Sequence, residues 1–225
     1  MYTERDAQHI MTAGAFAALT IVLIIPVQIV IFSMYPPPDS VEGFFNLFAH
    51  SKWLGLLSLD LLYYINNALL ALLYLALFVA LRKVNYSAML IALMLGLIGI
   101  AVHYSSSVGF EMLALSKDFA QSSSAETSQQ ILAAGRAILA RYKGSAFDVY
   151  YVLNAVALII ISLVMFKPNR FGRAAAIWGL IAGIFMIIPS TAGTIGLVFS
   201  LISLIPWAVF SVIIGIKMLR PETSI

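Results

Sequence analysis

The sequence predicts an all-α, polytopic membrane helix bundle with about six transmembrane helices and one interfacial amphipathic helix. Three observations carry this. Of 225 residues, 62% are hydrophobic and only 10% are charged, where a soluble domain has about 25% charged residues. The mean hydropathy is +0.98. The charges cluster at the ends of long apolar runs, each near the roughly 20 residues a helix needs to cross the hydrocarbon. The length leaves no room for a soluble domain beside such a bundle, so 1–225 reads as a single integral membrane domain.

The first span is expected over about 10–34, with a kink at Pro26. Its flank, "MYTERDAQH", sets Arg5 against Glu4 and Asp6. The apolar part is too long for a signal h-region and lacks an Ala-x-Ala exit, so it should remain as a helix. The second span, about 53–81, ends at Arg82 and Lys83, and the third covers about 86–115. The fourth, about 145–166, ends at "KPNR". From Ala174 to Ile216 there is no charged residue. That stretch holds a fifth span, about 171–189, a tight turn at "PSTAGT" (189–194), and a sixth span, about 194–216. Pro206 inside the last is tolerable, because neighbouring helices can satisfy a freed carbonyl.

Basic residues set the orientation. With the N-terminus inside, eight fall on the inner side: Arg5, Arg82, Lys83, Lys167, Arg170, Arg173, Lys217 and Arg220. Five fall outside: Lys52, Lys117, Arg136, Arg141 and Lys143. The expected location is the cell membrane, with both termini cytoplasmic. The pI of about 9.2 reflects these orienting charges. It is no sign of nucleic acid, and the expected partner is the lipid bilayer.

Two connections look interfacial. "PPPDSVEGFFNLFAHSKW" combines a stiff start with Phe, Trp and His suited to the headgroup zone. Residues 131–142 place Ile131, Ile138, Leu139 and Tyr142 on one side at helical spacing, with Arg136, Arg141 and Lys143 around them. Such a helix is expected to lay its apolar side in lipid. Plain membrane anchoring is the simpler reading of both segments.

Polar residues inside the spans suggest a site. Asp60, Tyr64 and Asn67 share one face of the second span by their three- and four-residue steps. Asp148 and Tyr151 do so in the fourth, and His103, Ser107 and Glu111 form a stripe in the third. Ionisable groups at membrane depth are costly and normally face a partner, water or the bundle interior. The stripes are therefore expected to converge on a polar pocket in the outer half, lined by Asp60, Tyr64, Asn67, His103, Glu111, Asp148 and Tyr151. Arg136 or Arg141 would pair an anionic group, and Asp60 would meet His103 directly or through water. Taken singly, each residue has a simpler reading. Asp148 can be a solvated helix start, and Glu111 can pair with Arg136 or Arg141. Tyrosines can be belt residues, and Asn and Ser can be interhelical glue.

Tyr63, Tyr64, Asn67 and Ala68 align with Tyr150, Tyr151, Asn154 and Ala155 at one constant offset. The same offset aligns Lys83 with Arg170 and Gly96 with Gly183. The second and third spans thus read as a candidate parallel copy of the fourth and fifth.

Several chemistries lack their residues. There is no cysteine, which excludes disulfides, thiolate catalysis and iron–sulfur ligation. His103 is the lone histidine at depth, short of the paired ligands a b-type haem commonly takes. Every lysine lies at a boundary, so no retinal Schiff base is expected. Neither a Gly-x-Ser-x-Gly elbow nor a Gly-rich phosphate loop is present. No cofactor and no metal ion are expected. Three readings stay open: a protein that binds or moves a small amphipathic or lipid-like ligand, a membrane-embedded hydrolase using Asp60, His103 and a second acid, and a structural or accessory subunit.

The stretch 131–183 resembles a widespread prokaryotic family of small six-helix integral membrane proteins catalogued as a domain of unknown function. The resemblance rests on Leu132–Gly135 before a span, Met165 and the basic turn Lys167–Arg173 after it, and Trp178–Gly179 opening the next. It implies the same helical membrane fold and brings no activity, ligand or catalytic residue.

Overall fold

A computed structural model describes residues 3–189 and 191–220. All elements among them are helices: α1 (Glu4–Met34), α2 (Val41–His50), α3 (Lys52–Ser58), α4 (Leu61–Leu81), α5 (Tyr86–Ser106), α6 (Gly109–Gln121), α7 (Ala125–Tyr142), α8 (Ala146–Met165), α9 (Gly172–Met186) and α10 (Gly193–Leu219). Five helical stretches are long and apolar enough to cross a membrane, and α9 is a shorter apolar helix. The protein is a polytopic helical membrane bundle, as its composition demands. Helix α1 runs through Pro26 and α10 through Pro206. Ser190, within the expected turn at 189–194, lies outside the described residues.

Two expected spans are not continuous. The second is divided at Leu59–Asp60 into α3 and α4, and the third at Ser107–Val108 into α5 and α6. The first break falls at a single acid inside an apolar run, and the second just after the polar stretch His103–Ser107.

The chain forms two compact units. The first takes the described residues up to Leu23, then Asn66–Val102, then those from Asp148 onward. Small residues bring its helices together. A Cβ on Gly96 would lie 2.5 Å from the Tyr74 ring, and one on Gly99 would lie 2.6 Å from Asn154 Nδ2. A Cβ on Gly179 would meet Ser162 Oγ at 2.5 Å and the Phe210 ring at 2.9 Å. In lipid, close backbone approach and packing replace the hydrophobic drive between helices. Gly96 and Gly183, aligned by the internal offset, each sit where a helix meets the preceding span: α5 against Tyr74 of α4, and α9 against the Ala155 carbonyl of α8.

The α8–α9 turn is built by side chains. Asn169 Oδ1 accepts from the Phe171 and Gly172 amides at 2.7 and 3.2 Å, while its Nδ2 donates to the Met165 carbonyl at 2.6 Å. Gly172 has φ +73°, a left-handed conformation that glycine adopts without a Cβ clash. Arg170 donates to the carbonyls of Lys217 and Arg220 at 3.0 and 2.9 Å, and Lys217 Nζ donates to the Phe171 carbonyl at 2.5 Å. Arg170 thus meets the carbonyls at the end of α10, where the helix dipole favours a cation.

The second unit takes Ile24–Ile65 and His103–Phe147. Its core begins with Val41, Phe44, Phe45 and Phe48 of α2, spaced to form one helical face. Leu56, Leu59, Val108, Met112, Leu132 and Leu139 complete it. The amphipathic helix expected over 131–142 is present and longer: α7 starts at Ala125, capped by Ser124 Oγ on the Thr127 amide at 3.0 Å. The expectation that its apolar side lies in lipid is corrected. Leu132 and Leu139 are buried in the protein core, with Ile131, Ile138 and Tyr142 packed against it. The reason is Gly135, where Val41 Cγ1 comes within 2.5 Å of the place a Cβ would occupy. This close fit lets the phenylalanine face of α2 cover the apolar stripe.

Candidate functional site

The centre of the second unit is the pair of helix interruptions. Helix α6 starts at Gly109, and its N-cap residue Val108 offers no side-chain hydrogen bond. The first amides of a helix have no intrahelical acceptor. Asp60, at the α3–α4 break, supplies one: its Oδ2 accepts from the Val108 and Gly109 amides at 2.5 and 2.7 Å. A carboxylate at a helix N-terminus also complements the positive end of the helix dipole. Asp60 is 1% exposed, and its Oδ1 accepts no hydrogen bond among the described residues. No direct hydrogen bond joins the Asp60 carboxylate to the His103 ring among the described residues. The α6 amides hold one carboxylate oxygen.

Other side chains meet the carbonyls that the interruptions release. Ser106 and Ser107 hydroxyls donate to the His103 carbonyl at 2.9 and 3.3 Å. Arg141 donates to the Ser105 carbonyl at 2.5 Å, and the Tyr142 hydroxyl to the Leu59 carbonyl at 3.4 Å. Tyr104 donates to the Tyr64 carbonyl at 2.9 Å, with the two rings stacked 5.6 Å apart. The His103 ring lies 5.3 Å from that of Tyr63 and 6.1 Å from that of Phe147. Glu111 is exposed on α6.

Arg136 pairs with Glu42 at 3.3 Å rather than with Glu111. The Glu42 carboxyl is held below the usual carboxylate range, first by its own backbone N–H and then by Arg136. Beside this pair is a cleft of about 340 Å³ lined by Asp39, Ser40, Val41, Glu42, Arg136, Leu139, Ala140 and Lys143.

The remaining expected site residues belong to the first unit. Asn67 Oδ1 accepts from the Tyr150 hydroxyl at 2.9 Å. Asn154 Oδ1 accepts from Tyr74 at 2.7 Å, and its Nδ2 donates to the Tyr150 carbonyl at 2.7 Å. The Tyr151 hydroxyl bonds Ser200 at 2.8 Å, and Asp148 accepts from the Thr191 hydroxyl. The stripe reading missed Tyr74, Tyr150 and Ser200. Tyr74 was within reach, since it lies seven residues after Asn67 and hence on the same helix face. Among the described residues, no three of His, Cys, Asp and Glu gather into a metal-binding group.

A family model described as "Domain of unknown function (DUF4386)" matches residues 12–219. The chain belongs to this family. The DUF4386 match runs from α1 to the last residue of α10 and so takes in both units, well beyond the 131–183 stretch that carried the resemblance. No curated protein and no solved structure matches the chain.

Proposed function

We propose that this DUF4386 protein is a multi-pass protein of the cell membrane, both termini cytoplasmic, that binds a small amphipathic, lipid-like ligand at the Asp60 junction. The observation that carries this reading is a buried carboxylate standing on two helix interruptions, with one oxygen available as an acceptor. Interrupted helices are where membrane transport proteins build ligand sites, because half-helix ends present backbone groups and dipoles to the ligand. Tyr63, Tyr64, Tyr104, His103 and Phe147 add aromatic surface in the same unit. A ligand with a donor for Asp60 Oδ1 and an apolar body for the rings fits this chemistry, and an amine would gain cation–π attraction.

A second reading, a structural or accessory subunit, has its own support in the first unit. There Tyr150–Asn67 and Tyr74–Asn154 are buried helix-to-helix bonds of the kind that hold membrane helices together. The two readings separate by mass spectrometry of small molecules retained by the purified full chain. The ligand reading expects an amphipathic molecule that is kept by the native protein, lost from Tyr63→Leu at unchanged helicity, and raises the melting temperature when added back. A protein that retains nothing and responds to no amphiphile, but purifies with a stoichiometric protein partner, is a structural subunit.

A further inference from the structure

The cleft between α2 and α7 stands apart from the Asp60 junction in both residues and chemistry. Its walls carry both signs of charge: Asp39 and Glu42 around the start of α2, Arg136 and Lys143 on and after α7. Its floor is apolar, from Val41, Leu139 and Ala140. Its volume of about 340 Å³ is at the small end of ligand pockets. That suits a headgroup rather than a whole lipid.

The chain fixes the depth of this cleft. Asp39 follows closely on Met34, the last residue of the membrane-crossing helix α1. Lys143 closely precedes Ala146, the first residue of the apolar helix α8. The cleft therefore opens where hydrocarbon gives way to headgroups, and the groups abundant at that level are lipid phosphates and amines. Arg136 and Glu42 already face each other at 3.3 Å, both well exposed at 64% and 46%. An exposed pair of this kind contributes little, so opening it to admit a ligand of matching charges is cheap. Lys143 donates to the Asp39 carbonyl at 3.5 Å, and an ammonium has three donors to offer.

We infer that this cleft binds the headgroup of a zwitterionic phospholipid, with its phosphate on Arg136 and Lys143 and its ammonium on Glu42. A purely anionic headgroup satisfies the two cations but sets a negative group beside Glu42. Free phosphate shares the phosphate chemistry, yet leaves Glu42 unmatched and the apolar floor uncovered. The inference does not rest on the Asp60 reading.

The test uses the full chain in detergent, with melting temperature followed against three probes: dihexanoyl phosphatidylethanolamine, dihexanoyl phosphatidylglycerol and inorganic phosphate. Phosphatidylethanolamine is expected to stabilise at the lowest concentration, and phosphate not at all. Arg136→Gln with Lys143→Gln should raise the half-saturating phosphatidylethanolamine concentration about tenfold, as expected for losing charge-assisted contacts. Glu42→Gln should shift the preference to phosphatidylglycerol while leaving the apo melting temperature near that of the native chain. Equal stabilisation by the two lipids, a matching response to phosphate alone, or an unchanged preference in Glu42→Gln overturns the inference.

Discussion

Replacing Asp60 tests the junction most directly. Its Oδ2 holds two amides of α6, at Val108 and Gly109, in a site where Asp60 is 1% exposed. Asp60→Ala leaves both donors without that acceptor. A buried donor stripped of its partner costs about 1–3 kcal/mol, so two cost about 2–5 kcal/mol once some relaxation is allowed. Relief of the carboxylate's own desolvation offsets part of this, which places the expected loss at about 2–4 kcal/mol. Asp60→Asn keeps an acceptor oxygen of nearly the same shape and should lose about half as much. Equilibrium unfolding in mixed micelles reads the global loss. Hydrogen exchange at the two amides reads the local one: at about 1.4 kcal/mol per factor of ten, a 3 kcal/mol loss speeds opening roughly a hundredfold. If Asp60→Ala unfolds within about 0.5 kcal/mol of the native chain and both amides keep their protection, Asp60 is not the cap of α6 and the argument fails.

Tyr150→Phe removes the hydroxyl that donates to Asn67 and should cost about 0.6–1.5 kcal/mol; a melting temperature equal to that of the native protein would count against that bond. Gly135→Ala puts a Cβ 2.5 Å from Val41 Cγ1. Overpacking there should cost about 1–3 kcal/mol, seen as a lower unfolding midpoint and easier proteolysis between α6 and α7. Gly172→Ala forces a side chain into φ +73° and should destabilise by about 1–2 kcal/mol, whereas a stabilised variant would show that the turn relaxes. A reporter fused after α10 should be active only in its cytoplasmic form, because the basic residues favour inner termini; exported activity at that site reverses the orientation.

The helical membrane class was legible because solvent dictates it: long apolar runs with charges at their ends have no other stable form in lipid. The interruptions at Leu59–Asp60 and Ser107–Val108 were not, since a lone acid and a short polar stretch, His103–Ser107, are each flanked by apolar residues on both sides. Only Asp60, the serines and Gly109 hinted at a break, and Asp60 read equally well as lining a pocket. What decides is a bond between segments distant in sequence, Asp60 to the α6 amides, and periodicity within one helix carries no information about it. The face of α7 shows a related limit. Its amphipathic pattern says that one side leaves water but not what receives it, and here the receiver is α2. For Asn67 the stripe named no partner, and the structure supplies the Tyr150 hydroxyl from a helix distant in sequence.

The grip of Arg170 on the end of α10 bears on the order in which the protein is made. Its acceptor carbonyls at Lys217 and Arg220 come 47 and 50 residues later in the chain. At roughly 5–20 residues per second on the ribosome, these acceptors are synthesised about 2–10 s after Arg170 itself. The α8–α9 turn can form early from its own Asn169, but the clamp closes only when the last helix has been delivered to the membrane. A truncation that ends the chain at Ile216 removes those acceptors for good, so the loss of nine residues should lower the yield of inserted protein more than its small size suggests.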